Sequence, residues 1–144
     1  PSVAPSVSPV GASGVNAASP KLPELLPLLP PLPLLLLLPP LPAQSGVALL
    51  ANVLHRFGPA QVVQLVYSAH ASLRPGGTLV VKDLRSDTGE GILFALNMAL
   101  FTADGDVHAA ALIEEAMAEA GFETPRRIAL QSSPNSLVLA ARKP

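Results

Sequence analysis

The sequence predicts an α/β fold over about its last hundred residues. Three features predict it: two short, continuously apolar runs, a helical pattern of apolar residues between them, and glycine or proline at each junction. The first run, Val47-Ala48-Leu49-Leu50-Ala51-Asn52-Val53, lies between Ser45-Gly46 and the polar His55-Arg56. It is too short for a typical helix and does not alternate, which suits a strand buried on both faces of a parallel sheet. Gly58-Pro59 then punctuates the chain, and proline is tolerated in the first turn of a helix. Val62, Val63, Val66, Ala69 and Leu73 recur near the helical period, so Pro59 to Leu73 reads as an amphipathic helix, stopped by Pro75-Gly76-Gly77. Thr78-Leu79-Val80-Val81 makes a second buried strand ending at Lys82-Asp83, and the three elements form a right-handed βαβ unit.

Two more helical patterns follow, Ile92 to Thr102 and Ala109 to Ala120, the second stopped by Gly121. Arg126 to Gln131 and Ser136 to Ala141 are strand candidates, and the turn between them, Ser132-Ser133-Pro134-Asn135, is short enough for an antiparallel hairpin. The sheet is therefore expected to end with an antiparallel strand.

Composition narrows the function. In 144 residues the net charge is -1, with no arginine cluster and few aromatics, which leaves no electrostatic footprint for nucleic acid or an anionic membrane surface. The absence of cysteine rules out disulfides and thiolate metal sites, and a cytoplasmic location is the default expectation. Lys21 to Pro42, KLPELLPLLPPLPLLLLLPPLP, is apolar enough to suggest a membrane span, but its longest proline-free run is Leu34 to Leu38. A spanning helix needs about 20 largely uninterrupted apolar residues, and each interior proline costs about 3 kcal/mol in a helix. No basic n-region precedes it, so a secretory signal fits no better. Residues 1–40 are expected to be a disordered or polyproline-II segment, with membrane contact and partner docking as minor alternatives.

Ligands of open α/β sheets bind at the carboxyl ends of the strands, which singles out Asn52, His55, Arg56, Lys82 and Asp83. Among them His55 has the chemistry of a general base, since an imidazole with an ordinary pKa near 6.5 can take a proton from a hydroxyl at neutral pH. On spacing alone the plainer alternative, a loop histidine with a structural hydrogen bond, weighs more. His70 falls within the first helix, and His108 reads as a surface residue ahead of the last helix.

Three motifs alter that balance. Leu49-Leu50-Ala51-Asn52-Val53-Leu54-His55-Arg56-Phe57 resembles the strand and turn that carry the basic histidine in hydroxyindole, caffeate and bacterial polyketide O-methyltransferases. Leu73-Arg74-Pro75-Gly76-Gly77-Thr78-Leu79 resembles the helix-to-strand turn of class I methyltransferases in general, and Phe94-Ala95-Leu96-Asn97-Met98, Gly105 and Ala120-Gly121-Phe122 are similar to the substrate-side helix and closing helix of the same O-methyltransferase group. The resemblance implies the C-terminal half of a Rossmann-like class I methyltransferase sheet over residues 41–144. It also implies S-adenosylmethionine as cofactor, a small and aromatic hydroxyl compound as acceptor, and a homodimer in the family. It casts His55 as the base, Asn97 and Met98 as substrate contacts, and Asn52 as a cofactor contact. Asp106, or Asp104, stands near the glutamate that braces the histidine in the family. There the pattern departs, with Asp106-Val107-His108 in place of Glu-Arg-Thr and one extra residue before Ala120-Gly121-Phe122.

Upstream of Leu41 there is no glycine-rich turn and no acid beyond Glu24, the features with which such enzymes hold the cofactor. The expectations are that this chain alone binds S-adenosylmethionine weakly or not at all, that its apolar strands lack their central neighbours and leave an exposed edge, and that the family's helical dimerisation domain is absent. The first 40 residues are then either a natural extension or a shifted reading frame joined to a methyltransferase end. Two functions stand: an O-methyltransferase or a fragment of one, and a non-catalytic remnant or interaction protein.

Overall fold

The computed structural model describes residues 43–144, so the low-complexity segment, including Leu41 and Pro42, lies outside the described residues. The elements are β1 (Ser45–Ala51), a 3-10 turn (Leu54–Arg56), α1 (Pro59–Ser72), β2 (Leu73–Leu84), α2 (Gly89–Phe101), α3 (Ala110–Glu119), β3 (Arg126–Arg127) and β4 (Ser136–Arg142). The strands form one sheet in the order β1-β2-β4-β3. β1 and β2 run parallel, joined through α1 as the βαβ reading requires, and β4 is antiparallel to both β2 and β3. The antiparallel strand is the last in the chain, as expected, and it is inserted between β2 and β3.

The junctions follow local chemistry. Pro59 opens α1, and the Gln61 side chain reaches back to accept from the Gly58 N–H at 3.0 Å. The helix ends at Ser72 rather than at Pro75-Gly76-Gly77, because Leu73 already pairs with Ser45 as the first residue of β2. The register then jumps to Val47 opposite Thr78, so Arg74 to Gly77 bulge out of the strand. Gly76 takes φ +78, and a Cβ on Gly77 would lie 2.9 Å from the Arg74 carbonyl oxygen. β3 is shorter than its apolar run suggested, since only Arg126 and Arg127 pair with β4.

The core lies on one face of the sheet. α1 packs on α3, and both cover the inward residues of β2 and β4, so that Leu79, Val81 and Leu139 meet Val62, Val66, Ile113 and Met117. The opposite face of β1 is open: Ala48 is buried, whereas Val47 and Leu49 are 64% and 63% exposed. The expectation of a strand buried on both faces fails for β1, because among the described residues no helix covers that side and β2 is its only strand neighbour. α2 stands apart from the core and contacts the 3-10 turn, leaving Ile92, Leu93, Leu96, Leu100 and Phe101 exposed. No helix among the described residues is long and apolar enough to cross a membrane.

At the far end of the sheet His70 packs edge-on against Phe122, with ring centroids 4.8 Å apart, and the Lys143 ammonium donates to the His70 and Leu73 carbonyls at 2.8 Å each. Burial, then the nearby Lys143 charge, hold the imidazole below its usual pKa. The fold therefore favours neutral His70; the associated stability is complete above the unfolded value near 6.5 and is lost as pH falls through the lower folded value. The urea midpoint is expected to fall between pH 7.5 and pH 5 by more in the wild type than in His70→Gln, and equal falls in the two would remove His70 as the cause. Leu139→Ala, at a fully buried position, is expected to cost about 2–5 kcal/mol in urea unfolding.

Candidate active site

Parallel pairing sets Ala51 opposite Lys82, so the residues after β1 and β2 emerge side by side at the carboxyl end of the sheet. Asn52 ends β1 by entering the left-handed region at φ +51, a conformation asparagine tolerates. Its N–H still donates to the Lys82 carbonyl at 2.7 Å, and its Oδ1 accepts from Lys82 Nζ at 3.0 Å on the exposed surface. The chain then tightens into the 3-10 turn that carries His55.

Asp83 organises this turn. It is 4% exposed; its Oδ2 accepts from the Leu54 and His55 backbone N–H groups at 3.0 and 3.2 Å. Oδ1 accepts from the Leu84 N–H at 2.9 Å and lies 2.7 Å from His55 Nδ1. A carboxylate can only accept, so Nδ1 carries the ring proton and, in the neutral imidazole, Nε2 keeps a free lone pair. The His55 side chain is 12% exposed, and Phe94 meets its ring edge-on with centroids 4.9 Å apart.

Phe94 belongs to α2, whose start is fixed by the Thr88 hydroxyl accepting from the Gly91 N–H at 3.1 Å. Gly91 cannot be larger, since a Cβ there would overlap the Arg85 carbonyl. Asn97 and Met98 follow Phe94 by one helical turn and so share its stripe; Asn97 is exposed and Met98 half-buried. The structure thus brings α2 against His55 through Phe94, a residue with no separate role in the sequence reading.

Neither candidate for the bracing acid is hydrogen-bonded to His55 among the described residues. Asp106 is exposed and accepts from its own neighbour, the Val107 N–H, at 2.7 Å, while Asp104 is exposed with its Cβ against Gly58. Asp83 braces His55 instead. It was visible as a strand-end acid, but only parallel register places it beside the turn after β1. His108 also departs from its reading as a surface residue: it is 7% exposed, and its Nε2 lies 2.8 Å from the Phe57 carbonyl and 3.2 Å from that of Leu54. Arg56 is exposed. A cavity of about 690 Å³ lies elsewhere, between Arg85–Asp87, the start of α3 and the β3–β4 turn; none of the residues around His55 lines it.

The α/β sheet with a carboxylate-held histidine at a strand end can be compared with known proteins. No protein-family model matches the chain. It is 33% identical over 110 residues to the tetracenomycin polyketide synthesis 8-O-methyl transferase TcmO of Streptomyces glaucescens, covering 73% of this chain and 32% of that protein. An O-methyltransferase family 2 protein of Planctomyces limnophilus, solved in complex with apigenin, is 28% identical, with a TM-score of 0.64 over 74% of this chain and 33% of that one. Human N-acetylserotonin methyltransferase, solved with S-adenosylmethionine, has the same fold at 24% identity, with a TM-score of 0.63 over 73% of this chain and 31% of its own. In sequence and fold the described region is the counterpart of part of an S-adenosylmethionine-dependent O-methyltransferase. The chain spans about a third of the length of the relatives it matches.

Asp83→Ala removes the acceptor of the Leu54, His55 and Leu84 N–H groups together with the ring partner of His55. Buried donors left unsatisfied make this variant about 2–5 kcal/mol less stable in urea unfolding; a loss below about 0.5 kcal/mol would show that Asp83 does not hold the turn.

Proposed function

We propose that this region is the acceptor-deprotonating part of an O-methyltransferase, with His55 as the general base toward a phenolic hydroxyl. The observation that carries the proposal is the His55–Asp83 pair: Nδ1 is committed to the carboxylate, and Nε2 is left to accept a proton. As Nε2 gains that proton the ring becomes an imidazolium, and the buried Asp83 carboxylate, already 2.7 Å from Nδ1, stabilises the new charge without rearranging. Asp83 thus takes the bracing role first expected of Asp106. Phe94 and Met98 offer an apolar wall to a planar ring, and Asn97 an exposed amide to a second polar group on it.

The phenolic class is supported by the apigenin bound to the Planctomyces protein and by the polyketide methylation for which the Streptomyces relative is named. The described residues fit only one edge of a cofactor site. Asn52 is the residue that would border S-adenosylmethionine, with Lys82 bonded to its side chain, while the neighbouring acid Asp83 is already engaged. When bound, S-adenosylmethionine supplies an electrophilic methyl on a sulfonium; His55 makes the acceptor oxygen nucleophilic, and positioning of that oxygen does the rest.

The test incubates the full chain with isotopically labelled S-adenosylmethionine and a panel of phenols that includes apigenin. Methylated product is expected from the wild type, and its rate is expected to drop about 10²–10⁴-fold in His55→Ala. Undiminished transfer by that variant overturns the assignment of the base. The partial cofactor edge favours a second reading, a non-catalytic remnant, which is adopted if the folded wild type neither binds S-adenosylmethionine nor transfers its methyl group.

A further inference from the structure

The 3-10 turn bearing His55 is gripped from two sides, and only one grip is the Asp83 carboxylate. On the donor side, the Leu54 and His55 N–H groups point at Asp83 Oδ2. On the acceptor side, the Leu54 and Phe57 carbonyls converge on one nitrogen, His108 Nε2, at 3.2 and 2.8 Å. Both partners are acceptors, so Nε2 carries a proton and shares it between them. The Leu54 carbonyl also closes the turn by accepting from the Phe57 N–H at 3.0 Å. The imidazole of His108 therefore ties together the two residues that flank His55 and Arg56.

The segment that delivers His108 is shaped to reach this spot. Thr102 Oγ1 donates to the Met98 carbonyl at 2.7 Å and accepts from the Gly105 N–H at 2.9 Å, turning the chain off the end of α2. Gly105 passes so close to the turn that a Cβ would lie 2.7 Å from the His55 carbonyl oxygen. Val107 and His108 then enter the interior, 6% and 7% exposed. A buried imidazole with its N–H on two backbone carbonyls is not placed to meet substrate, and the hydrogen bonds of the Asp83 carboxylate go to other groups.

We propose that His108 is a positioning residue for His55: its Nε2–H fixes the carbonyl side of the turn so that the His55 ring meets Asp83 through Nδ1. The significance for catalysis rests on the reading of His55 as a base, but the positioning itself can be read without turnover. The experiment records the histidine side-chain ¹⁵N spectrum of the full chain, without cofactor or acceptor, near pH 7.5. In the wild type, His108 is expected as the Nε2–H tautomer and His55 as the Nδ1–H tautomer. In His108→Leu, with backbone amides of β2 and β4 unchanged, His55 is expected to lose its fixed Nδ1–H signature and show the averaged pattern of a free imidazole. His108→Gln, which keeps a side-chain N–H donor, is expected to retain the signature. Equal behaviour of His55 in the two folded variants overturns the proposal. If His108→Leu does not fold, the wild-type spectrum decides: an unprotonated Nε2 on neutral His108 overturns it, and a protonated one shielded from solvent exchange supports it. These readouts stand even if the chain transfers no methyl group, so failure here is distinguishable from failure of the proposed function.

Discussion

One buried carboxylate, Asp83, holds together the turn that carries His55. Asp83 sits at the end of β2 and spends both oxygens on the neighbouring strand connection, taking the Leu54 and His55 N–H groups, its own neighbour Leu84 and the His55 ring. A buried charge without partners is costly, and here each contact offsets that cost while fixing a different atom of the turn. Remove the carboxylate and the connection from β1 to α1 loses its anchor, the ring its orientation and Phe94 of α2 the surface it leans on. The backbone of the turn and the orientation of the His55 ring therefore depend on one residue, with His108 closing the same turn from its carbonyl side.

The rest of the domain serves to bring two strand ends into register. α1 returns the chain so that β2 lies parallel to β1, and the bulge at Arg74 to Gly77 absorbs the mismatch at the far end without shifting the pairing of Ala51 with Lys82. α1 and α3 then bury one face of the sheet. The other face of β1 and most of α2 remain apolar and exposed, through Val47, Leu49, Leu93, Leu96, Leu100 and Phe101. Apolar surface of this extent is uncommon on monomeric domains.

Much of the fold was legible because its signals are local. The apolar runs at β1 and β2, the helical period of α1 and α3, and the glycine or proline at each junction report backbone preference within a few residues. The readings slipped where a distant partner decides. Leu73 left the helix because Ser45 pairs with it, β3 shrank to Arg126 and Arg127 because only these meet β4, and β1 is open on one face because no described element covers it. At the candidate site, His55 was legible through its place after a strand, and Asn97 and Met98 through the helical pattern that also carries Phe94, the residue that meets His55. The acid bonded to His55 is not one of the two singled out along the chain: Asp106 and Asp104 follow the family pattern, whereas Asp83 reaches His55 across the sheet.

The sequence by itself determined the α/β class, the βαβ order, the O-methyltransferase likeness and the strand-end position of His55. These are encoded in short windows, where periodicity, turn residues and motif spacing suffice. Tertiary structure alone decided which acid holds that histidine, which of its nitrogens is left free, and that His108 is buried behind it. Those are matters of contact between residues about 30 and 50 positions apart, and such contacts are set by strand register and packing, which no local pattern records.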